Sequence, residues 1–305
     1  MKWIKRGLIY GPPGNLDWIR HSALQPTPLL LDNGAIRVYC GFRDDAGVAR
    51  VGLIDLDADN PSRVLRVSDR PALDIGAPGT FDDNGVVPCA AVIRENKIHL
   101  YYAGYQLARK VKFLAFGGLA ISQDGGESFQ RYKTVPIFER TTEEPLFRAI
   151  HCIFKENDVW KAWYSAGNEF IEIDGVPHPA YDTRHIESAD GLTFQGSGEV
   201  CISLVHAKEY RVGRPSVIKA SGLYRMFYSW ATTESGLRLG YAESADGRHW
   251  KRLDDRMNIA YSATGWDSKD MGYPNIFEHK GRFYLFYNGN DFGRSGFGFA
   301  ELAEW

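Results

Sequence analysis

Three kinds of side chain in this sequence have the chemistry for a reactive site, and they recur at similar intervals. The first is acidic: Asp82 beside Asp83, Glu143 beside Glu144, and Asp267 three residues before Asp270. Facing carboxyl groups can divide acid and base work between them. Asp83 and Glu144 are the expected catalytic pair, with Asp82, Asp267 and Asp270 as binding groups. The second kind is basic. Arg43, Arg148 and Arg214 carry planar forks that suit a phosphate or a carboxylate. The third is a mixed polar set, His21, Gln25, His151, Tyr273 and Asn290, in which the imidazoles can move protons or hold anions. Each kind also has a plainer use. Asp82 and Asp83 stand before Gly85 and suit a turn cap. Glutamates are mostly solvated. The arginines suit ion pairs with Asp82, Glu144 or Asp267.

The elements that must position these residues are visible as a repeat. Apolar residues, an aromatic and small residues recur as Val38-Tyr39-Cys40-Gly41, Tyr101-Tyr102-Ala103-Gly104, Trp163-Tyr164-Ser165-Ala166, Phe227-Tyr228-Ser229 and Phe286-Tyr287-Asn288-Gly289. Taking Tyr39, Tyr102, Tyr164, Tyr228 and Tyr287 as anchors, the spacings are 63, 62, 64 and 59 residues. A strand-like run precedes each copy, opened by Pro28, Pro88, Pro215 and Pro274 in four of the five, and a short polar turn joins the two. Downstream, three copies share Ser122-Gln123-Asp124-Gly125, Ser188-Ala189-Asp190-Gly191 and Ser244-Ala245-Asp246-Gly247. Aspartate can bond its own backbone there, and glycine supplies positive φ.

Each unit therefore holds about four strands in roughly 60 residues, and no long stretch has a helical period. Radial repetition of four-stranded sheets is a propeller. The expected fold is all-β: one domain over 1–305, a five-bladed β-propeller of four-stranded antiparallel blades. An N-terminal strand between Trp3 and Tyr10 would complete the last blade and close the ring, leaving no free edge. In such a ring, the residues opening the first strand of each blade gather at one mouth.

Composition excludes several other classes. The 305 residues carry 36 Lys+Arg against 38 Asp+Glu, a net charge of -2, so there is no basic excess for nucleic acid. No apolar run is long enough to span a bilayer. The N-terminus has charges but no apolar segment behind them, and a cytoplasmic location is expected. Cys40, Cys89, Cys152 and Cys201 lack paired spacing and read as buried thiols rather than zinc ligands, so neither metal nor cofactor is expected. Aromatics at 13% and 32 glycines suit strands and tight turns.

The five repeats, the Ser-x-Asp-Gly turns, Phe81-Asp82-Asp83-Asn84-Gly85 before the second unit and Arg43-Asp44 after the first aromatic strand resemble the five-bladed propeller glycosidase superfamily. That group includes arabinanases, xylosidases, fructan-processing enzymes, the mannoside phosphorylases of family 130 and the predicted glycosidases of bacterial polysaccharide clusters. The resemblance implies a carbohydrate-active enzyme that cleaves an oligosaccharide or glycoside in an axial funnel. Hydrolysis is the expected reaction. Phosphorolysis, with phosphate held by the arginines, and glycan binding without catalysis are the alternatives. Hydrolytic members take a base from an aspartate opening blade one, whereas this chain has Gln25-Pro26-Thr27-Pro28 there. The Glu-Asp-Pro-Arg run of the phosphorylases is replaced by Val86-Val87-Pro88-Cys89.

Overall fold

Each repeat folds into antiparallel strands because its apolar runs are short, rich in aromatic and β-branched residues, and punctuated by turn residues. The computed structural model describes residues 1–205 and 208–305. Strand β1 (Lys2–Tyr10) precedes the repeats. The first unit is β2 (His21–Leu30), β3 (Ala35–Arg43), β4 (Ala49–Asp57) and β5 (Val64–Val67). The second is β6 (Val86–Arg94), β7 (Lys97–Leu107), β8 (Phe113–Ser122) and β9 (Gln130–Arg131). The third is β10 (Phe147–Glu156), β11 (Val159–Ile173), β12 (Val176–Ser188) and β13 (Glu199–Ile202). The fourth is β14 (Glu209–Ala220), β15 (Leu223–Thr232), β16 (Arg238–Ser244) and β17 (Lys251–Arg252). The last is β18 (Gly272–His279), β19 (Arg282–Asn288) and β20 (Phe297–Glu304). Its fourth strand is β1, which runs antiparallel to β20 from Lys2 opposite Glu304 to Tyr10 opposite Phe297.

The core lies between units rather than within one. Tyr39, Val51 and Leu53 of the first unit pack with Leu100, Tyr102 and Phe116 of the second. Val38, Cys40 and Phe42 of the first pack with Tyr284, Phe286 and Phe299 of the last. The first strands of the units also pack side by side, β2 on β6, β6 on β10, β10 on β14, β14 on β18, and β18 back on β2.

The Ser-x-Asp-Gly turns act as latches between neighbours. In the third unit, Ser188 Oγ accepts the Gly191 N–H at 2.9 Å and Asp190 Oδ1 accepts the Leu192 and Thr193 N–H groups at 2.8 Å. Gly191 has φ +69°, and a Cβ there would meet the Trp160 ring at 2.9 Å. The carbonyl so presented accepts the Tyr101 hydroxyl of the preceding unit at 2.7 Å. The same latch joins Trp163 Nε1 to the Gly247 carbonyl at 2.9 Å. Tyr39 reaches the Gly126 carbonyl at 3.3 Å.

These bonds hold the Asp190 carboxyl at about 2, below the usual 3.8, chiefly through the Leu192 N–H. A depressed folded-state value stabilises above the unfolded value and is lost as pH falls through the folded one. Asp190→Ala is therefore expected to cost about 1 kcal/mol at neutral pH and to flatten acid unfolding between roughly pH 4 and 2. Chemical unfolding at pH 7 and pH 2.5 measures both. An equal loss at the two pH values would contradict the assignment.

Candidate active site

The site is built by one irregularity repeated five times. Each first strand carries a β-bulge where it faces the aromatic strand. The register shifts between Leu24 and Thr27, Pro88 and Ala90, Ile150 and Cys152, Gly213 and Ser216, and Gly272 and Asn275. The bulges hold Gln25, Cys89, His151, Arg214 and Tyr273, with Pro26, Pro215 and Pro274 beside three of them. Bulges redirect side chains next to functional sites. Gln25, Arg214 and Tyr273 adopt φ of 53°, 57° and 55°, and each precedes a proline. Such strain, of order 1–3 kcal/mol per residue, persists only where the surroundings impose it.

The bulges converge on the Arg214 guanidinium. Its Nη1 donates to the Cys89 carbonyl at 2.5 Å and to His151 Nδ1 at 3.1 Å. Its Nη2 donates to Thr27 Oγ1 at 2.9 Å and the Gln25 carbonyl at 3.3 Å. Because arginine only donates, His151 Nδ1 accepts, and the imidazole proton sits on Nε2. Burial, with the Arg214 charge adding to it, holds His151 well below its usual value and neutral. Burial also pulls Arg214 below the usual arginine value.

Above this cluster lies a cavity of about 230 Å³ lined from all five first strands. Gln25, Arg43, His151, Arg214 and Tyr273 line it, together with Ser165, Tyr105 and Arg211. A wall comes from the β11–β12 hairpin, which runs well past its counterparts and contributes Pro177, His178 and Tyr181. Lys112 and Phe113 stand opposite, and Phe113 meets Phe170 of the hairpin edge-on at 6.0 Å. Partial burial lowers His178, with Arg211 and Lys112 adding to the effect. Burial pushes the Tyr105 and Tyr273 phenols up, so they stay protonated. Among the described residues, no aspartate or glutamate lines the cavity.

The expected carboxylates are used elsewhere. Glu144 is fully buried, 2.5 Å from Arg148 Nε, 3.0 Å from Arg184 Nη1 and 2.6 Å from the Tyr164 hydroxyl. Asp82, equally buried, holds the Tyr102 hydroxyl at 2.9 Å and Arg131 at 2.7 Å. Asp267 holds the Tyr287 hydroxyl at 2.9 Å and Lys5 at 2.5 Å. In all three pairs the carboxylate precedes its tyrosine by 20 residues. The recurring tyrosine is thus an anchor for a buried carboxylate, and a cation neutralises the pair.

The first unit lacks this anchor. Tyr39 corresponds to Tyr101 and Trp163, because it serves the latch, so Cys40 stands where the later units place the anchor tyrosine. Taking Tyr39 as an anchor sets the first repeat out of phase by one residue. With no tyrosine hydroxyl to hold there, the unit has no such carboxylate.

The remaining candidates also fall outside the cavity. Asp83 accepts the Gly79 N–H at 2.8 Å as a turn cap. Arg148 lies on the Phe138 ring at 3.8 Å and in its ion pair with Glu144. His21 pairs with Ser22 Oγ at 2.8 Å. Asp270 accepts the Leu237 N–H at 2.7 Å. Asn290 braces a loop by accepting the Lys269 N–H at 2.8 Å. The cavity residues outside the expected set are mostly on the long hairpin and the segment before β8. Their one local signal is Asp174-Gly175, a two-residue hairpin turn between apolar runs.

Comparison with known proteins places the chain. No protein-family model matches it. A Mycobacterium tuberculosis (strain ATCC 25618 / H37Rv) protein, described as uncharacterized protein Rv1502, is 31% identical over 303 residues, covering 99% of both chains. The chain belongs to the Rv1502 family. Solved structures show its fold. A thermostable family-43 glycoside hydrolase superposes with TM-score 0.70 at 17% identity, covering 96% of this chain and 90% of that one. The endo-arabinase from Bacteroides thetaiotaomicron VPI-5482 gives 0.67 at 10% identity over 98% and 99%. The Rv1502-family chain thus has the all-β fold of the family-43-like propeller glycosidases, as the repeats imply.

Proposed function

We propose that this chain is a single five-bladed propeller over residues 1–305, with β1 closing the ring, and that it binds and processes a glycoside in the cavity at the bulged strands. The cavity carries the reading. Tyr105, Phe113, Tyr181, Tyr273 and Phe292 offer rings to the apolar faces of a sugar, and Gln25, Ser165, His151 and His178 offer hydrogen-bonding groups beside them. The fold, shared with glycoside hydrolases, raises the same expectation by analogy.

Glycosidases ordinarily divide the work between two carboxyl groups flanking the scissile bond. The described lining holds none, and Asp83 and Glu144 take no part in this reading. This favours routes that need no carboxylate base, and it supports a second reading in which the propeller binds a glycan without cleaving it.

The test is a product screen by mass spectrometry over a panel of oligosaccharides and activated glycosides, with and without phosphate, paired with calorimetric binding of the same compounds. Cleavage is expected to yield a free sugar in both conditions if water attacks, or a sugar phosphate only when phosphate is present. Binding without product selects the second reading. A panel that neither binds nor reacts would overturn both.

A further inference from the structure

Two groups stand out among the less exposed arginines of this protein. In one, a buried or half-buried guanidinium rests on a carboxylate: Arg37 on Asp55 at 2.7 Å, Arg131 on Asp82 at 2.7 Å, Arg148 on Glu144 at 2.5 Å, Arg225 on Glu243 at 2.9 Å and Arg252 on Glu209 at 2.7 Å. Such pairing is what burial of a charge demands. The second group is Arg43, Arg211 and Arg214. All three line the cavity, and what sets them apart is that no carboxylate stands among its described lining; the Nε of each is buried without a hydrogen-bond acceptor, as is that of Arg225 in the first group. Arg211 and Arg214 are only 7% and 3% exposed. Arg211 is sandwiched between the Tyr210 ring at 4.6 Å and the Phe292 ring at 4.9 Å, a packing that fixes the plane of its fork. Arg214 is held by carbonyls, a hydroxyl and a neutral imidazole, none of which offsets its charge. Lys112 adds a fourth cation at the exposed rim.

Two buried guanidiniums and a third lining the same cavity, with no carboxylate among the described lining residues, are unfavourable as an empty arrangement. They become favourable when an anion enters, because charge-assisted and bidentate hydrogen bonds then satisfy the free N–H groups. We propose that the cavity binds an oxyanion at Arg43, Arg211 and Arg214, either carried on the glycoside as a carboxylate, sulfate ester or phosphate ester, or bound beside it as inorganic phosphate. The proposal rests on the glycoside reading for the rest of the ligand. The neutral His151 and the protonated Tyr105 and Tyr273 would then meet the sugar hydroxyls around the charge.

The test is isothermal titration at fixed ionic strength with three probes: a methyl galacturonide, the neutral methyl galactoside of the same anomer, and inorganic phosphate. Each is titrated into the wild-type chain, Arg211→Gln and Arg43→Gln. The second variant, at a less buried residue, keeps the test open if the first does not fold. The galacturonide is expected to bind at least tenfold more tightly than the galactoside, and each substitution to weaken it at least tenfold. Phosphate binding that falls in the same variants, without a galacturonide preference, supports the anion site and assigns the charge to a separate ligand. Equal affinity for the charged and neutral glycosides, unchanged in both variants, would overturn the anion site and leave the glycoside reading standing. Phosphate binding that falls in both variants, with no affinity for either glycoside, would support the anion site, and the glycoside reading then stands or falls on the wider panel.

Discussion

Glu144→Ala is expected to lower the stability of the protein by about 3–5 kcal/mol, because removing one partner of a buried ion pair strands the others. Arg148, at 2% exposure, loses its 2.5 Å contact, Arg184 loses its 3.0 Å contact, and the Tyr164 hydroxyl loses its acceptor. At the roughly 2–4 °C per kcal/mol of large domains, a fall of about 6–20 °C is expected in a thermal scan. Glu144→Gln keeps an acceptor for Tyr164 but removes the charge, and it should fall part of the way. A midpoint within about 1 °C of wild type in both variants would show that the carboxylate is not structural. A catalytic acid would give the opposite signature, lost turnover with an unchanged midpoint.

The second large effect concerns β1. Removing residues 1–10 is expected to destabilise the chain by more than about 5 kcal/mol and to make it self-associate. Strand β20 would present an unpaired edge, which templates pairing with other chains. Trp3 would leave its edge-on contact with Phe227 at 5.8 Å. Asp267, 1% exposed, would lose Lys5 and remain buried with only the Tyr287 hydroxyl. Size-exclusion chromatography and a thermal scan of the 11–305 chain measure both effects. A monodisperse protein melting within a few degrees of wild type would overturn the assignment. Lys5→Met isolates the ionic part, and it should account for a substantial share of the loss.

Much of the scaffold was legible before any coordinates, because its determinants are local. Strand alternation, the two-residue turns and the Ser-x-Asp-Gly segments depend on neighbours a few residues apart, so they repeat visibly in sequence. The pairing of β1 with β20 was legible for a related reason: the last unit runs out one strand short, and an unpaired edge is costly. The latch function of the turns was not legible. The Gly191 carbonyl meets Tyr101 only because two units pack together, and nothing near position 191 records that.

The candidate site divided along the same line. Gln25, Arg43, His151, Arg214 and Tyr273 line one cavity; four of them share the first-strand bulge position that the repeat carries, and Arg43 reaches it from the end of β3. The acidic candidates occupy equivalent positions too, yet point elsewhere. Asp82, Glu144 and Asp267 each stand 20 residues before an anchor tyrosine whose hydroxyl they hold, outside the cavity lining.

Sequence alone determined the all-β class and the recurrence of its hairpins and turns, because period and turn chemistry act over short distances. Only the tertiary structure decided which charges are compensated. Arg148 and Arg211 each stand three residues before the bulge residue of adjacent units, but one meets Glu144 and the other packs against the Tyr210 and Phe292 rings. Charge compensation is set by contacts between residues far apart in the chain. It leaves Arg43, Arg211 and Arg214 facing the cavity without a carboxylate among its described lining.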